Sequence, residues 1–325
     1  MMNFSVGTAL SLMARTMPFI VFRIIVYFGI TTAIILVTGT GAGFGYGIGA
    51  FGTDEFQVNS TFWGGAIGFG GTIGVIFFFR DYLLYLVKAG HIAVMVELLE
   101  GGQVPGGRGQ IDYAWGVVRA RFGEASALFA LDRIVHGVIG AITGIIEGLL
   151  SFFPIPGLDK FMSILRAFLK IAVGLVDEMV IAHGLRTKAE NPWKNAQEAL
   201  VLYAQNAKPM MISAAWLTVI SWVLSLIVFL LMLAPAAAVV YMMPGDVAAG
   251  GFVFAFVFAW AVKAALIEPF CIACLMQTFF KVTEGQQPNP EWEAKLRDVS
   301  DKFRHMGDQA ASWMGSRFKG LSPGA

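Results

Sequence analysis

The chain has 325 residues, of which 57% are hydrophobic and 14% charged, with a formal net charge of +1 and a mean hydropathy of +0.69. Soluble domains carry about 25% charged residues, so this composition leaves no shell able to cover an apolar interior in water. The near-neutral charge gives no electrostatic footprint for nucleic acid, and the long continuous apolar runs are the pattern of membrane helices, not of the short alternating strands of a transmembrane barrel.

These bounds predict an all-α fold: a polytopic bundle of six transmembrane helices, built as three hairpins, with amphipathic cytoplasmic helices beside it. A leader with Phe4, Leu10, Met13 and Met17 precedes the first run and suits the membrane surface. Arg15 comes before an apolar stretch with no small-residue cleavage site after it, so residues 18–37 read as a retained first span. The span runs on into TGTGAGFGYGIGAFG, from Thr38 to Gly52. The glycines there alternate too regularly for a G-x-G-x-x-G dinucleotide loop. As helix, Gly41, Gly45 and Gly49 share one face and Gly39, Gly43 and Gly47 another, and Gly64, Gly68 and Gly71, with nearby Gly70 and Gly74, answer from the second span. Small residues four apart let membrane helices approach closely, which favours a packing seam. A re-entrant glycine segment lining a cavity is the alternative.

The remaining spans are predicted at residues 63–99, 124–150, 158–185, 210–240 and 249–282. Short turns close each pair: the glycine stretch, Phe153 to Gly157, and Met243 to Gly245. Several spans exceed what a ~30 Å core requires at 1.5 Å per residue, so they are expected to tilt or project. The even spans all end in related signals, Glu100-Gly101, Glu190-Asn191-Pro192 and Glu284-Gly285, which suggests one hairpin unit used three times. Arg108, Arg119, Arg121, Arg186, Lys188, Lys194 and Lys208 gather in the longer loops, whereas the short turns hold Asp54, Glu55, Asp159 and Asp246 with only Lys160. The positive-inside tendency then places both termini in the cytoplasm of a multi-pass cell-membrane protein, the inner membrane in a bacterium.

Ionisable residues within spans are costly and are usually paired or functional. Folding the first hairpin at Gly52 sets Arg23 opposite Asp81. Folding the second at Ile155 sets Glu147 near Arg166, and Arg133 and His136 near Asp177 and Glu178. Asp132, His136 and Glu147 form one polar stripe on the third span. The stripe reads either as a register-fixing ladder or as a polar path. The third hairpin differs: Lys263 and Glu268 on its second span meet only Ser221, Trp222 and Val228 when it folds at Gly245. Pro269 beside Glu268 removes a backbone hydrogen bond. The pair is therefore expected to find partners in another hairpin, in water or in a second protein.

The transmembrane domain is placed at residues 1–288 and a cytoplasmic tail at 289–325. In the tail Trp292, Leu296, Val299, Phe303, Met306, Ala310 and Trp313 recur at spacings of four and three, an amphipathic helix whose polar face mixes both signs. That face suits the chain's own cytoplasmic loops or a docked protein better than an anionic lipid surface.

The segments NPWKNAQEALVLYAQNAKPM and AALIEPFCIACLMQTFF resemble the end of the choline-transporter-like family. There, a short amphipathic segment leads to two apolar helices, the second broken by polar residues. The resemblance implies membrane transport and carries over no substrate residue.

No H-E-x-x-H, G-x-S-x-G or Walker sequence occurs, and no enzyme activity, cofactor or metal site is expected. Cys271 and Cys274 read as small packing residues. The residues point first to a carrier or channel moving a small solute or ion along a polar path among the third, fourth and sixth spans. That path would be lined by Lys263, Glu268, Asp132, His136, Asp177 and Glu178. Arg23, Asp81, Arg133, Glu147 and Arg166 are expected to be structural ion pairs. The alternative is a non-catalytic scaffold or accessory subunit of a larger membrane complex. Expected partners are the lipid bilayer, further copies of the chain, and, in the second reading above all, a protein held at the C-terminal helix.

Overall fold

The computed structural model describes residues 3–122, 134–138, 140, 175–242 and 250–319, and for 75–84, 108, 121–122, 250 and 314–319 the backbone alone. The chain is all-helical, with no strand among the described residues. In order these are α1 (Val6–Arg15), α2 (Met17–Gly49), α3 (Asp54–Leu99), α4 (Arg108–Phe122), α5 (Val176–Thr187), α6 (Pro192–Gln205), α7 (Ala207–Tyr241) and α8 (Gly250–Val262). A π-turn at Lys263–Ile267 leads to α9 (Glu268–Val282), followed by α10 (Pro290–Val299) and α11 (Asp301–Lys319).

Among the described residues three helical stretches are long and apolar enough to cross a membrane: Met17–Gly49, Ala207–Tyr241 and Gly251–Val282, with apolar windows of mean hydropathy 2.4, 2.8 and 1.8. They include the first, fifth and sixth predicted spans. Their outer surfaces are apolar too. On α7, Trp216, Val219, Trp222, Val223, Leu226, Ile227, Leu230 and Leu231 are all exposed. A contiguous face of that kind does not face water in a soluble monomer.

The chain forms two compact units. One comprises Met17–Val87 and Ile220–Phe270, the other Met1–Thr16, Lys88–Val219 and Cys271–Ala325. In the first unit α2 runs unbroken through the glycine stretch to Gly49, so those residues are helix and not a re-entrant loop. The turn is Ala50 to Thr53, and the Thr53 hydroxyl accepts from the Phe56 amide at 3.2 Å to start α3. A β-carbon added to Gly41 or Gly45 would overlap the backbone carbonyl of Gly64 or Ser60, and one added to Gly64 that of Gly41. At Gly49 it would strike the backbone of Gln57, and at Gly68 that of Val37. These are backbone-to-backbone approaches that only glycine permits. Gly43, Gly47 and Gly71 have nothing within 4 Å. Gly71, predicted to sit on the seam, lies off it because the tight contact ends at Val37–Thr38. Elsewhere in this unit Ala236, Phe254 and Ala255 bury against Ile35, Phe229, Leu233 and Val240.

The second unit is more conventional. Ile92, Val94 and Met95 at the end of α3 and Met179, Ile181 and Ala182 of α5 are fully or almost fully buried. Arg186 holds three helix ends together: it lies 3.0 Å from Glu100 Oε1, donates to the Phe280 carbonyl at 3.2 Å and sits 4.5 Å over the Phe280 ring. The residues after these ends, Gly101, Lys188 and Gly285, all have positive φ, the usual left-handed helix stop. Tyr113 of α4 has its phenol pushed up, by burial first and then by the nearby Glu97 carboxylate, to which it donates.

The tail is part of this unit. Leu296, Phe303, Met306 and Ala310 bury against Trp193, Ala196, Ala199 and Leu200 of α6, and Asn191 Nδ2 donates to the Ala310 carbonyl at 2.8 Å. The single amphipathic helix expected from sequence is two helices. Ser300 is extended between them, and its hydroxyl accepts from the Phe303 amide at 3.3 Å. The break rotates the apolar stripe, so Val299, predicted to face inward, is exposed. Of the leader, Ala9 and Leu12 are buried in the same unit while Leu10 and Met17 are exposed.

Candidate functional site

Arg23 enters the first unit on α2, an otherwise apolar helix, and is only 1% exposed. Its Nη2 donates to Glu268 Oε2 at 3.2 Å, and its guanidinium lies 6.0 Å from the Tyr27 ring centre. Tyr27 meets Trp260 edge-on with centroids 5.3 Å apart. Ala261, Ala264 and Ala265 are buried against Tyr27, with Ile24, Phe28 and Trp260 around them. These small residues bring α2 close to the π-turn. The Nε and Nη1 atoms of Arg23 are buried and have no hydrogen-bond partner among the described residues.

Glu268 begins α9 immediately after the π-turn, and its amide donates to the Lys263 carbonyl. Pro269 has no amide hydrogen to give, and the wider π-turn preceding it adjusts the backbone register next to that missing bond. The Glu268 side chain remains 28% exposed. Lys263 is exposed. Glu268 thus finds a partner in another hairpin, one of the outcomes open to it from sequence. Hairpin folding instead assigned Arg23 to Asp81, whose side chain lies outside the described residues, as do Asp132, Arg133, Glu147 and Arg166.

A separate charged cluster lies in the second unit. Lys88 Nζ is 2.6 Å from Glu178 Oε1, with Glu178 fully buried and the Lys88 side chain 19% exposed. Asp177 is buried beside it, and Asp177 Oδ1 and Glu178 Oε2 have no hydrogen-bond partner among the described residues. His91, also buried, pairs its Nε2 with Thr16 Oγ1 at 2.8 Å. His136 is exposed. The sequence reading placed Asp177 and Glu178 in a charged cluster but did not name Lys88. The available signal was the rule already applied elsewhere, that an ionisable residue inside a predicted span needs an opposite charge.

The class defined at this point is an all-helical protein with, among the described residues, three helical stretches fit to cross a membrane, and with a part-buried ion pair in each unit. No protein-family model, curated protein or solved structure matches the chain.

Proposed function

We propose that the chain is a six-span membrane carrier or channel that moves a small solute or ion past the charged group formed by Arg23, Glu268 and the π-turn. One observation carries this reading: Arg23 is buried on an apolar helix with two guanidinium nitrogens unsatisfied. Within a bilayer every polar group needs a partner, and an arginine cannot escape by losing its proton. Spare donors in such a place are tenable where water or a solute reaches them. The half-open Glu268 provides an approach, and π-turns inside helices are common at functional positions. The choline-transporter-like resemblance of residues 191–280 agrees with a transport role.

In this reading both termini lie in the cytoplasm, and Lys263 reaches along its aliphatic stem toward water. The scaffold reading uses the C-terminal amphipathic helix and the glycine seam to hold partners. Its support is reduced because α6 already covers the apolar face of the tail.

Purified protein in liposomes on a supported membrane should give a transient current on concentration jumps of at least one member of a panel of small inorganic and organic ions. Glu268→Gln should abolish the current. Silence across the panel from folded, inserted protein would favour the scaffold.

A further inference from the structure

We propose that the free edge of Arg23 is the recognition element of this site and takes an oxyanion, a carboxylate or a phosphate, supplied by a free solute or by a lipid headgroup. The inference deepens the proposed path, and as an account of its cargo it rests on that reading. Arginine presents five N–H donors in a planar fork matched to such oxygens, remains charged at any relevant pH, and binds them in pairs. Here Glu268 occupies Nη2 alone, at 3.2 Å. Among the described residues nothing accepts from the buried Nε and Nη1, so they offer unengaged donors. Charge-assisted hydrogen bonds made in such surroundings are the strong ones. The Tyr27 ring, 6.0 Å away, fixes one side of the guanidinium and supplies no competing acceptor from its face.

The charge balance selects the ligand. Among the described residues a cation would gain only from Glu268 and would be repelled by the more deeply buried Arg23. An anion gains from Arg23 and is opposed by Glu268, which is the more exposed partner. Glu268 is therefore a built-in competitor for the guanidinium, and binding of an oxyanion exchanges one carboxylate for another on the same donor set.

The test is thermal unfolding of the full chain in an uncharged detergent. One arm titrates sodium phosphate and sodium succinate against sodium chloride at equal ionic strength. The other titrates a short-chain phosphatidylglycerol against the corresponding diacylglycerol, which lacks the phosphate. The expected result is a Tm that rises with the logarithm of oxyanion concentration in one arm, which also identifies the source. Arg23→Gln should raise the half-saturating concentration by about tenfold or more, the factor for losing a charge-assisted bond. Glu268→Gln, which leaves the guanidinium in place and removes its competitor, should lower it. No shift beyond the controls in either arm overturns the proposal, as does an unchanged response in Arg23→Gln. If Arg23→Gln fails to fold, an unchanged response in Glu268→Gln overturns it. Reactivity of Glu268→Cys toward water-soluble thiol reagents, in a chain carrying Cys271→Ala and Cys274→Ala, tests the path separately. Reactivity without a Tm shift removes the anion alone, and a shift without reactivity removes the path alone.

Discussion

Gly45→Ala should unseat the first hairpin, while Gly43→Ala and Gly47→Ala, two residues to either side, should leave it intact. The added methyl at position 45 meets the carbonyl of Ser60, with the Ser60 carbonyl carbon and the Thr61 Cα also inside contact distance. Those atoms are backbone of α3 and cannot rotate aside, so relief requires the two helices to separate. Overpacking a tight contact destabilises by about 1–3 kcal/mol, occasionally more; the backbone-only obstruction puts Gly45 at the upper end. Against this, alanine gains at most about 1 kcal/mol over glycine in helix propensity, so the clash wins. At Gly43 and Gly47, with nothing within 4 Å, only the propensity gain remains and stability should hold or rise slightly. Size-exclusion chromatography after stepwise heating in detergent reads the difference.

Lys88→Met should be the most damaging change in the second unit. It leaves the fully buried Glu178 beside Asp177, also buried, without its lysine partner. Breaking a buried pair from one side typically costs about 3–5 kcal/mol. Glu178→Gln should cost less, because the stranded group is then Lys88, which is 19% exposed and has a further interaction of its own. Changing both to methionine should recover much of the loss, since a hydrophobic replacement of a buried pair is often neutral. Chemical denaturation of the three variants beside the parent checks the ordering; equal losses in all three would contradict it.

Periodicity and apolar length made the helices legible, because a span must satisfy its own backbone. The glycine seam was legible at Gly41, Gly45, Gly64 and Gly68 for the same reason that it exists: four-residue spacing sets small residues on one helix face. Long-range pairing was less so. Hairpin arithmetic offers each charge only neighbours on the adjoining helix, whereas Arg23 reaches Glu268 across 245 positions of sequence. The π-turn was equally hidden: Pro269 announced a missing hydrogen bond but not that the helix would absorb it by widening through Lys263–Ile267. In the tail, the four-and-three spacing continues through Ser300, yet the serine caps a new helix there. A side chain that competes for backbone bonds overrode an uninterrupted apolar pattern.

In the transport reading, water reaches the charged group on α9 within the membrane. This is tested most directly by Glu268→Cys in a chain carrying Cys271→Ala and Cys274→Ala, since both native cysteines are buried and neither is in a disulfide. The chain stays in native membranes and meets a small anionic methanethiosulfonate. Glu291→Cys on the exposed tail surface and Leu217→Cys at a fully buried position provide the fast and slow limits. The account expects Glu268→Cys to be modified at a rate nearer the first, and to be protected by whichever oxyanion raises Tm. Modification no faster than at position 217, in protein that remains folded and inserted, would show the site sealed from water and would contradict the transport reading.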